Sequence, residues 1–352
     1  MSAVPAAANP SAAPFDLDAL GRWLGHHLPG FTGLRGAVKF AGGQSNPTYR
    51  LQTGGSDLVM RCKPAAASQL LPSAHAIERE FRVMSALAAT DVPVPVMHAL
   101  CEDESVIGRV FYVMDFVDGR VLWDQALPGM APDVRRAHYD EMNRVIAALH
   151  AVDASAIGLD GFGRAEGYFA RQITRWTRQY RASETDTIAA MEALIEWLPA
   201  HMPPVDEASI VHGDFRIDNL VFAHAEPRVV AVLDWELSTI GHPLADFAYH
   251  CLSWHLSSTQ FRGLAGIDPV PGIPGEREHI ARYCARTGRS AEEVLVHWPF
   301  YLAFNLFRLA GIAQGIVKRA LEGTASNARA MDNRQLVAPL ANAGWAAAQR
   351  TT

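Results

Sequence analysis

The chain has 352 residues, of which 49% are hydrophobic and 19% charged, with a formal net charge of −6. That balance suits a globular protein of one large or two modest domains and excludes a disordered chain. No long run of like charge suggests nucleic-acid binding. The four cysteines (Cys62, Cys101, Cys251 and Cys284) form no CxxC pair, which predicts a reducing, cytoplasmic setting.

Residues 1–14 are rich in Ala and Pro and carry neither a basic region nor an apolar segment of signal type, so a mobile tail is expected. No apolar stretch reaches about 18 residues, so no membrane span is expected. Folding is expected to begin near Phe15, where Leu17, Leu20 and Leu24 make an apolar helical face. Residues 36–61 alternate and turn at Gly42-Gly43 and Gly54-Gly55-Ser56-Asp57, which predicts a meander of three strands. A helix is predicted over 74–89, ended by Pro93 and Pro95. The run at 110–117 reads as a strand, with Asp118-Gly119 turning the chain after it. Beyond residue 120 the pattern becomes helical, at 133–150, 165–200, 243–257, 276–287 and 291–320. No internal repeat is present.

Chemistry concentrates at 212–234. The apolar runs 220–222 and 229–233, separated by six polar or small residues, predict a β-hairpin. Asn219 precedes its first strand and Asp234 follows its second, so an antiparallel pairing brings them together. Asp214 lies in the same loop as Asn219. Phosphoryl transfer needs a carboxylate to orient and deprotonate a hydroxyl, and hard oxygen ligands to hold Mg²⁺ on the phosphates. Asp214 fits the first task; Asn219 and Asp234 fit the second. His212 has no proton-transfer task and reads as scaffold. Glu236 could touch metal, water or substrate, or be an exposed structural residue.

His212-Gly213-Asp214, then Asn219, then Asp234 resembles the catalytic loop of the aminoglycoside and choline kinase superfamily. The resemblance implies an α+β, protein-kinase-like fold of two lobes. A small strand-rich lobe (15–115) would bind nucleotide, and a larger helical lobe (116–345) would hold the catalytic loop, with ATP in the cleft. It also implies upstream parts. The segment with Gly43, Ser45, Asn46 and Thr48 would cover the phosphates, although taken alone it reads better as a plain hairpin turn. Arg61 takes the basic strand position, with Lys63 two residues on as a second choice. Glu80, three after Ile77 and four before Met84, borders the apolar helical stripe at about 100° per residue. It is therefore preferred over Glu78 as the ion-pairing acid. Met114 and Phe116 would meet adenine. Asp246 would brace the catalytic loop.

Three segments, GGQSNPTY, VMDFVDGR at 113–120 and the apolar helix at 300–326, are similar to the phosphotransferase domain fused to some acyl-CoA dehydrogenases and to its free-standing bacterial relatives. Arg308 and Arg319 in the last of these are cations that a groove could use. The expected activity is an ATP- and Mg²⁺-dependent phosphotransfer to a small-molecule hydroxyl, possible acceptors being a hydroxyacyl-CoA or an aminoglycoside- or choline-like molecule. Other classes stay open: a nucleotide-binding pseudokinase, or a metal hydrolase built on His242, Asp246 and His250 with His212 and Asp214. Oligomeric state is not legible.

Overall fold

The computed structural model describes residues 13–40, 46–64, 76–267, 269–324 and 330–350. In chain order the elements are α1 (Leu17–His27), β1 (Leu34–Lys39), β2 (Thr48–Thr53), β3 (Leu58–Cys62), α2 (Ile77–Leu87), β4 (Met97–Cys101), β5 (Phe111–Asp115) and β6 (Arg120–Val121). Helices α3 (Pro132–Ala151), α4 (Tyr168–Ser183) and α5 (Ala189–Ala200) follow. Then come β7 (Ser209–Val211), β8 (Leu220–Phe222), β9 (Val229–Val232) and β10 (Thr239–Gly241). The chain ends in α6 (Pro243–Cys251), α7 (Ser258–Phe261), α8 (Glu276–Thr287), α9 (Ala291–Leu321) and α10 (Arg334–Ala348). This is the α+β, two-lobed, kinase-like architecture, with a strand-rich lobe and a helical one. One compact unit runs to Leu122 and adds Ser155–Leu159 and Ile217–Ser238; the other combines Trp123–Ala154, Asp160–Arg216 and the chain from Thr239 onward.

In the strand-rich unit a five-stranded antiparallel sheet has the order β1-β2-β3-β5-β4. Register explains its two faces, because residues directly opposite in an antiparallel ladder share a face. Tyr49 pairs with Met60, and Met60 with Val113. That row joins Leu20 and Leu24 of α1 in one apolar core. Helix α1 starts where the Asp16 side chain accepts from the backbone N–H of Asp18 and Ala19. The alternate row, Thr48, Arg61 and Tyr112, lies on the other face. There α2 buries Ile77, Val83, Met84 and Leu87 together with one acid, Glu80. A second sheet in this unit has the order β6-β8-β9.

In the helical unit the short β7–β10 ladder carries the chain into and out of the functional loop. Helix α9 is the central element and is buried almost all round from Phe300 to Gly311. By length and composition α9 could cross a membrane, contrary to the sequence expectation, but 83% of its most apolar window is buried inside the protein. Its neighbours supply the reason: Phe169 of α4 meets Phe300 and Phe304 edge-on. Gly344 of α10 approaches so closely that a Cβ there would lie 3.1 Å from Leu306 Cβ. All four cysteines are buried free thiols.

Candidate active site

The helical unit shapes the His212-Gly213-Asp214 turn. Gly213 has φ 84°, a conformation that a side chain disfavours. Asp246, in the first turn of α6, accepts both the His212 and the Gly213 N–H at 2.8 Å. His150 Nε2 lies 3.2 Å from the same carboxylate, and His150 Nδ1 lies 2.7 Å from the Tyr283 hydroxyl. Burial pushes the Asp246 carboxyl up, but the hydrogen bond and charge of His150 and the loop amide more than offset it and hold it below its ordinary value. His212 is fully buried, and its ring accepts the Asp214 N–H at 3.2 Å. This is a scaffold contact within the loop.

Asp214 itself is held by side chains. Tyr249 of α6 donates its hydroxyl to Asp214 Oδ1 at 2.6 Å, and Arg216 Nε stands 3.3 Å from the same oxygen. Burial, then the neighbouring Asp214 charge, pushes the Tyr249 hydroxyl well above its usual range, so it stays protonated and donates. Arg308 of α9 is buried rather than facing open solvent, and donates Nη2 to the Gly213 carbonyl at 2.6 Å.

The strand-rich unit holds the other residues. Leu220 pairs with Val232, and the Leu233 N–H donates to the Asn219 carbonyl at 2.8 Å. Asn219 and Asp234 therefore sit at the same end of the β8–β9 hairpin. Asp234 takes a left-handed conformation (φ 64°, ψ 60°), which turns the chain out of β9. The next residue, Trp235, is buried and donates Nε1 to the Val232 carbonyl, which pins that turn.

Arg61 links these pieces. Its Nε lies 3.2 Å from Glu80 Oε2, and its Nη2 lies 2.8 Å from Asp234 Oδ1 and 3.3 Å from Glu236 Oε2. The Glu80 contact is an ion pair rather than a well-aligned hydrogen bond, since Nε has no partner of hydrogen-bond geometry. Glu80 also receives Asn46 Nδ2 at 3.1 Å and the Tyr112 hydroxyl at 3.2 Å. Burial pushes the Glu80 carboxyl up to about 7, against the opposing pull of Arg61. Lys63 lies just beyond β3 and pairs with Glu78 instead, so the two cations and the two acids sort into separate pairs. Thr48 donates to the Asn46 carbonyl. Met114 is buried on the Arg61 side of the sheet, and Phe116 stacks parallel to Phe40 and under the Arg50 guanidinium. Gly43 and Ser45 lie outside the described residues.

The residues of the alternative metal site have other employment. His242 is the N-cap of α6, its ring accepting the Leu244 N–H; Asp246 binds the loop amides; His250 Nε2 lies 3.2 Å from His279 Nε2. Among the described residues no group of three His, Cys, Asp or Glu is placed to hold a metal ion.

The sequence reading did not find Tyr249 or Tyr112. Tyr112 has no motif to betray it. Tyr249 offers a usable signal, since it lies three residues after Asp246 and so occupies a neighbouring position on α6.

A kinase-like fold with this loop defines a phosphotransferase of the small-molecule class. Residues 36–269 match the Phosphotransferase enzyme family (APH), and the chain belongs to that family. Among curated proteins it is 47% identical over 325 residues to acyl-CoA dehydrogenase family member 10 of Mus musculus, covering 92% of this chain and 30% of that protein. It is 42% identical over 343 residues to family member 11 of Homo sapiens, covering 96% and 44%. The chain thus spans less than half the length of these relatives. Among solved structures, one from Ralstonia eutropha JMP134 with a provisional aminoglycoside phosphotransferase description is 56% identical, with TM-score 0.86, over 96% of this chain and 99% of that one. Aminoglycoside phosphotransferase APH(4)-Ia, solved as a thermostable mutant with AMP-PNP and hygromycin B, shares the fold at 16% identity and TM-score 0.62, over 94% and 98% of the two chains.

Proposed function

We propose that this chain transfers the γ-phosphoryl group of ATP to a hydroxyl of a small metabolite, of the hydroxyacyl-CoA class. The observation that carries the kinase part is Arg61, which engages Glu80 and Asp234 with one guanidinium. In this reading Arg61 contacts the nucleotide phosphates, with Glu80 fixing its direction and Lys63 nearby. Asn46 and Thr48, with Gly43 and Ser45 of the preceding segment, cover the phosphates. Met114 and Phe116 face the base.

Three carboxylates, those of Glu80, Asp234 and Glu236, surround the single Arg61 cation. The hard oxygens of Asn219 and Asp234, with the Glu236 carboxylate on the same guanidinium as Asp234, fit a magnesium ion. Asn219 and Asp234 would hold it, and when bound it neutralises charge on the phosphate oxygens. Asp214 accepts the hydrogen bond of the acceptor hydroxyl and takes its proton. The acceptor oxygen bonds to the γ-phosphorus as the bond to the β–γ bridging oxygen breaks, and ADP leaves.

The acceptor class is supported by the relatives, in which the matching region belongs to acyl-CoA dehydrogenase family members. An aminoglycoside acceptor is the second reading, favoured by the provisional description of the Ralstonia structure. Phosphorus NMR of Mg-ATP incubated with hydroxyacyl-CoA and aminoglycoside panels separates them. Phosphoester formed on a hydroxyacyl-CoA is the expected result; turnover of aminoglycosides alone would overturn the assignment.

A further inference from the structure

We propose that Tyr249 is a positioning residue for phosphoryl transfer: its hydroxyl sets the direction of the Asp214 carboxylate, while Arg308 fixes the backbone beside it. The proposal rests on the reading that Asp214 receives the proton of the attacking hydroxyl.

Three observations lead there. First, α6 and α9 grip every residue of the turn. Asp246 takes the His212 and Gly213 amides, Arg308 takes the Gly213 carbonyl, and Tyr249 takes the Asp214 side chain. Second, the partner of Tyr249 is informative. A buried tyrosine hydroxyl favours an acceptor, because an orphaned one is costly to keep out of water. The buried Tyr139 satisfies that need with a backbone carbonyl, that of Gln125, at 2.7 Å. Tyr249, 5% exposed, instead reaches the loop carboxylate at 2.6 Å, a length typical of a charge-assisted hydrogen bond. Third, the Arg308 guanidinium lies 5.2 Å from the Tyr249 ring centroid. A cation over the ring draws electron density from the hydroxyl and strengthens it as a donor.

A neutral donor has a specific advantage at this place. It restricts rotation of the carboxylate without adding a second positive charge to that of Arg216, which already stands 3.3 Å from the same oxygen. A misdirected carboxylate loses the near-attack geometry, where an error of about 1 Å can cost 10²-fold.

Tyr249→Phe removes the hydroxyl and keeps the ring. Two assays read it: slow hydrolysis of Mg-ATP, in which water replaces the alcohol, and phosphorylation of a hydroxyacyl-CoA. The expected result is a kcat about 10- to 100-fold lower, with KM for ATP within about twofold of wild type. In an Asp214→Asn background the same substitution should change kcat by less than about twofold, because the carboxylate it directs is gone. Arg308→Lys, which keeps the charge, should retain more activity than Arg308→Met. A kcat for Tyr249→Phe equal to wild type overturns the proposal. So does an equal loss in both backgrounds, or a loss of kcat matched by a proportional rise in ATP KM. Hydrolysis needs no acceptor, so silence of the acyl-CoA assay alone refutes the acceptor class and leaves Tyr249 to be judged on hydrolysis.

Discussion

Arg61 donates Nη2 to Asp234 Oδ1 at 2.8 Å across 173 residues of sequence, while its Nε faces Glu80 at 3.2 Å. One guanidinium thus ties β3 to α2 and to the end of the β8–β9 hairpin. Its side chain is 13% exposed, so these contacts are made in a setting where charge is costly to strand. Burial alone would lower the Arg61 pKa, but the surrounding carboxylates, Glu80 first, raise it well above its ordinary value.

Replacing Arg61 tests this junction. Arg61→Met strands Glu80 without its cation and should destabilise the protein by about 3 kcal/mol. Urea unfolding at pH 8 measures it: wild-type Glu80, at about 7, is charged there, whereas without Arg61 its carboxyl is pushed up and must take a proton or sit buried as an uncompensated charge. Arg61→Lys should restore part of the stability but less of the nucleotide affinity. A single ammonium cannot span Glu80 and Asp234 as the planar fork does. Equal ATP affinity for the Lys variant and wild type, by calorimetry, would contradict the role given to the fork.

Asp234→Asn separates chemistry from fold. Asparagine tolerates the left-handed backbone at φ 64° as readily as aspartate, so the turn into Trp235 should survive. The carboxylate charge is lost, and kcat should fall by at least about 100-fold. The magnesium concentration giving half-maximal rate should rise. A variant with wild-type rate and an unchanged magnesium dependence would remove Asp234 from the metal site.

Much of this arrangement was legible in the sequence, for identifiable reasons. The three-strand meander and α2, α3, α8 and α9 follow their apolar periods closely. The hairpin placed Asn219 beside Asp234 because two apolar runs flank a short polar segment. Helical geometry alone chose Glu80 over Glu78 as the buried acid, and Glu80 is 1% exposed. Other elements gave no such signal. Strand β4 (MHALC) lacks strict alternation, with partly buried residues on both faces. Strands β7 and β10 are three residues each, too short to show a period. Helix α10 was missed: it contains Pro339, which reads as a helix breaker, and its many alanines define no apolar stripe. Arg308 reaches the loop from 95 residues away, a distance over which no local spacing rule operates, whereas Tyr249 is tied to it only through its helical spacing from Asp246.

Acid should destabilise the helical unit. Burial lowers His242 and His250 to about 4, and it holds His279 well below its ordinary value. A histidine depressed below its unfolded value contributes stability above about 6.5, lost as pH falls toward its folded value. Each can contribute a slope of up to about 1.4 kcal/mol per pH unit. Glu80 acts in the opposite sense, since its raised pKa favours the folded state at low pH and that contribution fades as pH rises through about 7. Three histidines outweigh one glutamate, so the urea midpoint should drop between pH 6.5 and 4. His242→Asn keeps an N-cap for α6 and should flatten the slope. Glu80→Gln removes the opposing group and should steepen it. A midpoint constant across this window would show that the buried histidines are not neutral.

Gly213→Ala probes the loop without altering any chemical group. At φ 84° an alanine costs about 1–2 kcal/mol if the backbone is kept. If the backbone relaxes instead, the Gly213 N–H leaves Asp246 and the carbonyl leaves Arg308, so Asp214 turns away from Tyr249. The two responses are distinguishable. A kept backbone lowers the melting temperature and leaves kcat near wild type, whereas a relaxed backbone lowers kcat with a smaller thermal effect. The kept-backbone response is expected, because about 1–2 kcal/mol of left-handed strain is less than the cost of removing partners from the buried Asp246 and Arg308 charges. ATP affinity should hold in either case, since Arg61, Glu80 and Asp234 make their contacts without Gly213. A parallel loss of ATP affinity and kcat would mean that the loop does more than aim Asp214.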